Sequence, residues 1–173
     1  MNDISIAHLY ISPGHNFFGH HGQPPGEHPI VEVEEVRCVT GCGVVGDRFY
    51  GHMPGYAGEI TFFELEVYEE LCRTLDVSDR HPGVFRRNVT TRGVRLNDLI
   101  GRRFSIQGVE FLGVAHCSPC YWMDHAFAPM AEKALAGKGG LRARILTDGV
   151  LRADSPRYQR SGRAGRSEGV EKL

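Results

Sequence analysis

Lysine is nearly missing from this chain: three of its twenty basic residues are lysines, Lys133, Lys138 and Lys172, and the rest are arginines. None of the three sits in a pattern suited to a Schiff base, so pyridoxal phosphate is not supported by this chain. Long apolar runs are also absent. No stretch approaches the ~20 residues that a membrane helix needs, and Met1-Asn2-Asp3 leads into no apolar signal core. A soluble, cytoplasmic protein without a membrane partner is expected. Cysteine is sparse and odd in number, with Cys38, Cys42, Cys72, Cys117 and Cys120 in 173 residues. That argues against a secreted disulfide framework and for reduced thiols. No flavin, haem or iron–sulfur signature is present, and no internal repeat. No base-stacking motif accompanies the basic residues, so no nucleic-acid partner is expected.

What is present fits one ordinary domain. The net charge of −1 conceals an uneven distribution: Arg152, Arg157, Arg160, Arg163, Arg166 and Lys172 face three acids after Leu151. The expectation is a single domain over residues 1–152 and a basic, flexible tail over 153–173. Residues 12–29 hold four Gly, four Pro and four His, namely His15, His20, His21 and His28. A loop of that length is usually functional or disordered.

Strands are expected at Ile4–Ile11, Val31–Val39, Ile60–Phe63, Phe85–Thr91, Arg103–Ile106, Val109–Ala115 and Ala143–Leu146. Gln107-Gly108 reads as a two-residue hairpin turn. Leu65, Tyr68, Leu71, Cys72 and Leu75 recur at helical spacing, and a second helix is expected over Met123–Ala136. Many short strands, two helices and no regular strand–helix alternation favour a mainly β (α+β) domain of barrel type over a doubly wound sheet.

His116-Cys117-Ser118-Pro119-Cys120 places two thiols three residues apart, between a strand and a helix. Three chemistries use such a pair: half of a zinc site, a dithiol redox couple, or a thiolate ligand for a softer metal. Cys38 and Cys42 would supply the other half of a four-cysteine zinc site. A redox couple of thioredoxin type would need a βαβ scaffold, which the periodicity does not supply; inert buried cysteines are the bland alternative. Phe85 to Val94 adds Arg86, Arg87, Asn88, Thr90 and Thr91, a set able to hold an anion. If that segment is extended, Arg86 and Asn88 share one face and Arg87 the other, so at most one of the two arginines enters a shared pocket. A solvated strand edge is the alternative.

Several strings occur together in one order: Val45-Gly46-Asp47-Arg48, Gly58-Glu59-Ile60-Thr61, Arg86 through Val94, Ser118-Pro119-Cys120, and Gly139-Gly140-Leu141-Arg142-Ala143-Arg144. In this order the chain resembles the molybdenum cofactor sulfurase C-terminal (MOSC) domain family, from about residue 4 to about residue 150. The resemblance implies a mixed β-barrel with a few peripheral helices. In members such as the mitochondrial amidoxime reducing component, the cysteine matching Cys120 binds molybdenum. By that resemblance Cys120 is the metal ligand and catalytic centre, and Arg87, Asn88 and Thr90 hold the phosphate of the molybdopterin. Asp47, Arg48 and His116 are further pocket residues, although Asp47-Arg48 reads equally well as a structural turn. The family's Gly-Asp near the end stands here as Ala153-Asp154.

The implied activity is an oxidoreductase that reduces N-hydroxylated or related N-oxygenated small molecules, with electrons from a separate donor protein. The alternative is a non-enzymatic sulfur carrier or cofactor-handling module, with a persulfide on Cys120 and a cysteine desulfurase as partner.

Overall fold

The structure is a computed structural model that describes residues 4–154; the expected basic tail lies, from residue 155 onward, outside the described residues. Ten strands run in chain order as β1 (Ser5–Ile11), β2 (Val31–Val33), β3 (Glu35–Val39), β4 (Gly43–Val44), β5 (Ile60–Glu64), β6 (Val89–Arg92), β7 (Arg103–Ile106), β8 (Val109–His116), β9 (Leu141–Ile145) and β10 (Gly149–Arg152). The helices are α1 (Leu65–Thr74), α2 (Trp122–Ala126) and α3 (Ala131–Ala134). Seven strands form a curled half-barrel sheet in the order β2-β1-β6-β5-β9-β8-β7, and β10-β3-β4 form a second, smaller sheet. The fold is mainly β, as the strand pattern implies.

Consecutive residues of β5 show how the chain makes two cores, because side chains alternate across a strand. Phe62 belongs to a cluster with Leu9, Val36, Val89, Phe111, Leu141 and Leu151, drawn from both sheets. Its neighbour Phe63 belongs to another cluster with Leu71, Phe85, Trp122, Phe127 and Leu135, which the helices and the turns beside them supply. β9 alternates cleanly, with Leu141, Ala143 and Ile145 buried and Arg142 and Arg144 exposed.

Several elements differ from the sequence expectation. The second helix is two short ones, because Met130 adopts a left-handed conformation at φ +75° just after Pro129. Val31–Val39 splits at Glu34, and its two halves join different sheets. β5 and β6 are parallel, and the connection between them carries α1. This is the crossover that parallel neighbours require, and the absence of regular alternation in the sequence concealed it. β10 is an additional strand, and order continues beyond it: the Ala153 N–H donates to Glu34 O at 3.1 Å. The Asp154 carboxylate accepts from Ile6 N at 2.6 Å. The expected Gln107-Gly108 hairpin joins β7 to β8, with both residues at positive φ.

Candidate functional site

The connection from β8 to α2 carries the two neighbouring thiols. Its entry is fixed by Cys117 N donating to Gly140 O at 2.7 Å, and its exit by Met123 N donating to Cys120 O at 2.8 Å. A methyl group on Gly139 would collide with the Cys117 carbonyl, so the sequence needs glycine there for two backbones to touch. His116 Nε2 accepts from Gly139 N at 3.2 Å and braces the same approach. Cys117 is buried and Cys120 half-buried, and both border a cavity of about 300 Å³. That volume lies at the small end of ligand sites, which run from roughly 300 to 1,000 Å³.

Arg48, Arg86, Arg87 and Arg142 border the same cavity, and no carboxylate among the described residues does. The expectation that only one of Arg86 and Arg87 enters a common pocket is therefore overturned. Residues 82–85 form a 3₁₀ turn, and Arg86 closes it in the left-handed region at φ 57° and ψ 39°. The extended backbone begins only at Val89, so strand alternation does not apply to Arg86 and Arg87.

Each arginine except Arg142 is anchored from behind. Arg86 donates through Nη2 to Ser12 Oγ at 2.5 Å and Gly14 O at 2.6 Å, and through Nη1 to His28 O at 3.3 Å. Arg48 donates to Asp47 at 3.2 Å and to Arg86 O at 3.1 Å. Arg87 donates to Gly139 O at 3.1 Å and Phe85 O at 3.2 Å. Burial, and then the charge of Arg48, pushes Arg86 down to about 10. Burial lowers Arg48 too, with Asp47 opposing. The site holds crowded positive charge with one acid behind it, an arrangement that an anion relieves.

Residues 12–29 form one wall. Asn16 and His28 exchange two hydrogen bonds of 2.9 Å across the loop, and Phe17 stacks on Trp122 with ring centroids 5.2 Å apart. His15 and His21 border the cavity. Burial first, and then the Arg48 charge, lowers the pKa of His15, so its ring is neutral at pH 7. Two buried polar atoms beside the cavity, His15 Nδ1 and Trp122 Nε1, have no hydrogen-bond partner among the described residues.

Among the residues singled out from the sequence, Cys120, Arg87 and Arg48 border the cavity. Asp47, Asn88, Thr90 and His116 stand behind it. The Asp47 carboxylate accepts from Ser12 N, Phe49 N and Arg48, each at 3.2 Å. Asn88 is consumed in bonds to Thr61 and Tyr10, and Thr90 is buried within β6. Sequence reasoning missed Arg142 and Trp122 as site residues. The alternation of Leu141-Arg142-Ala143-Arg144 carried the signal for Arg142, and no local pattern marks Trp122. His15 was marked by its place in the histidine-rich 12–29 loop.

The four-cysteine zinc site does not form: Cys38 is buried in β3, where burial pushes its thiol up to about 12. Among the described residues, neither the cysteines nor the histidines of the 12–29 loop belong to a three-ligand metal cluster. No described helix is long and apolar enough to cross a membrane.

Comparison with solved structures supports the fold. The chain is similar to the YuaD protein from Bacillus subtilis at 18% identity and a TM-score of 0.66, covering 87% of this chain and 91% of that one. It is also similar to YiiM from Geobacillus stearothermophilus at 17% identity and a TM-score of 0.61, covering 86% and 71%. For YiiM from Escherichia coli the values are 19% identity, a TM-score of 0.56, and coverage of 84% and 66%. No curated protein sequence matches the chain. The family model for the MOSC domain matches residues 45–157, and with that match over most of its length the chain belongs to the MOSC domain family.

Proposed function

We propose that this chain is an oxidoreductase that holds a molybdenum cofactor through Cys120 and reduces N-hydroxylated or related N-oxygenated small molecules. The observation that carries the reading is the meeting of a half-buried thiol with four arginines, and with no carboxylate among the described residues, around one cavity. The family is associated with this cofactor, and the residues present fit it. A thiolate is a soft ligand suited to molybdenum, guanidiniums suit a phosphate, and the unpartnered Trp122 Nε1 offers a donor to a polar ligand.

When bound, the cofactor supplies two-electron oxygen-atom chemistry. The chain's own part is to bind, orient and shield. Cys120 provides the protein sulfur. Arg87 and Arg142 face the anionic end of the ligand, and Arg48 and Arg86 fix the wall behind it. His15, neutral because of burial and Arg48, accepts or donates a hydrogen bond without adding charge beside an N–OH group. Phe17 on Trp122 excludes water from that side. Removing oxygen from an N-hydroxylated substrate consumes two electrons and two protons and releases water. The electrons come from a separate donor protein.

Protein made in a cofactor-competent host is tested for reduction of an amidoxime with a reduced dye as electron source. The proposal requires turnover in the wild type and its loss in Cys120→Ser. A persulfide on Cys120, with no molybdenum and no turnover, would instead establish the sulfur-carrier reading.

A further inference from the structure

Outside the residues that border the Cys120 cavity, three side chains from distant parts of the sequence converge. His8 and Tyr10 lie two residues apart on β1 and share a face. Tyr10 is in register with Glu32 of β2, which brings the Glu32 carboxylate alongside His8. His81 arrives from the segment before the 3₁₀ turn. Its ring lies edge-on to His8 at 5.6 Å and to Tyr10 at 5.4 Å. The carboxylate stands between the two imidazoles, with Oε1 2.8 Å from His8 Nδ1 and Oε2 3.3 Å from His81 Nε2. All three ligand atoms lie within 4.8 Å of one another.

We infer that His8, Glu32 and His81 bind one divalent transition cation of the zinc class. Two imidazoles and one carboxylate are a donor set for zinc, iron or nickel rather than for calcium or magnesium, which need oxygen ligands. Bond lengths near 2.1 Å place tetrahedral ligands roughly 3.4 Å apart, so the cluster needs only small rotations of its side chains to close on an ion. His8 is buried and fixes one ligand. The side chains of Glu32 and His81 are 26% and 42% exposed, which leaves an entry path and room for a water as fourth ligand.

Tyr10 completes the arrangement. Its oxygen lies 3.2 Å from His81 Nδ1 and 3.4 Å from His81 Nε2, and Gly83 N–H donates to the same Nδ1 at 3.3 Å, so the ring is held in place from two sides. Such outer partners set the orientation of metal-binding histidines.

The consequence is mechanical. His81 directly precedes the turn at Pro82–Phe85 that ends in Arg86 and Arg87. A cation would therefore tie the two cavity arginines to strands β1 and β2.

The test uses the full chain after chelator treatment, titrated with Co²⁺ and then Zn²⁺. One equivalent of Co²⁺ should bind with visible ligand-field bands but without thiolate charge-transfer absorption, and Zn²⁺ should displace it. Glu32→Gln and His81→Ala should each weaken binding by at least about tenfold, while Cys120→Ser leaves it unchanged. In the wild type, which needs no variant to fold, the NMR signals of the His8 and His81 rings should show paramagnetic shifts. Absence of a stoichiometric site, binding unaffected in both variants, or unshifted His8 and His81 signals would overturn the inference.

Discussion

Arg86 and Arg142 border the same cavity but differ in what else they do, and this difference separates binding from stability. Arg86 is 6% exposed and donates to Ser12, Gly14 and His28, so it pins the 12–29 loop to the body. Arg86→Ala leaves those acceptors unpaired and should cost about 2 kcal/mol, read as a lower denaturation midpoint. Arg142 is exposed on β9. Arg142→Ala should keep the midpoint within about 0.5 kcal/mol while weakening phosphate binding measured by calorimetry; equal phosphate affinity would remove Arg142 from the site. His15 supplies a pH signature. Its pKa is lower in the folded chain than the ordinary 6.5 of the unfolded one, so the unfolded state takes up more protons in acid. Stability is then intact above pH 6.5 and falls as the pH drops below it. His15→Gln should flatten that decline in denaturant titrations between pH 7 and 5. An unchanged slope would show that the ring is not responsible.

At the scale of elements, the Cys117–Cys120 connection depends on a neighbouring turn more than on its own residues. Gly139 packs against the Cys117 carbonyl, and Gly139→Ala should cost about 2 kcal/mol, as overfilled sites do. The same change should displace Cys120, so its alkylation rate should alter along with stability. A stable variant with unchanged alkylation would refute the dependence. The Ser118-Pro119-Cys120 string and the Gly139-Gly140 pair were legible in the sequence because both lie in short local patterns. Their contact was not, since Cys117 and Gly139 lie 22 positions apart and only the pairing of β8 with β9 brings them together. Arg86 shows the opposite failure. Its string was visible, but nothing in the string reveals a left-handed residue at the end of a 3₁₀ turn, and strand alternation gave the wrong geometry there. The helix expected over Met123–Ala136 failed for a similar reason, a left-handed Met130 next to Pro129.

For the whole molecule, the curled sheet and its small partner sheet depend on each other through residues at the far end of the chain. Leu151 of β10 is fully buried in the cluster shared by both sheets, and Asp154 caps Ile6 N of β1. A chain ending at residue 150 should lose cooperative unfolding, because removing a buried leucine alone costs about 3 kcal/mol. A chain ending at residue 154 keeps Leu151 and Asp154 and should melt well above the one ending at 150; equal melting of both shortened chains would show that β10 is dispensable. The barrel class was readable from strand number and spacing, whereas the division into two sheets was not, since Val31–Val39 reads as one strand until its halves take different partners. The fold brings Cys117 and Cys120 to one arginine-lined cavity, and the proposed function assigns the cofactor to Cys120 alone. That assignment is tested most directly by counting molybdenum and pterin per chain in the wild type, Cys117→Ser and Cys120→Ser, all made in a cofactor-competent host. Near-stoichiometric loading is expected in the wild type, with most of it retained in Cys117→Ser and nearly all lost in Cys120→Ser; an unloaded wild type, or equal loading in wild type and Cys120→Ser, would overturn the assignment of Cys120.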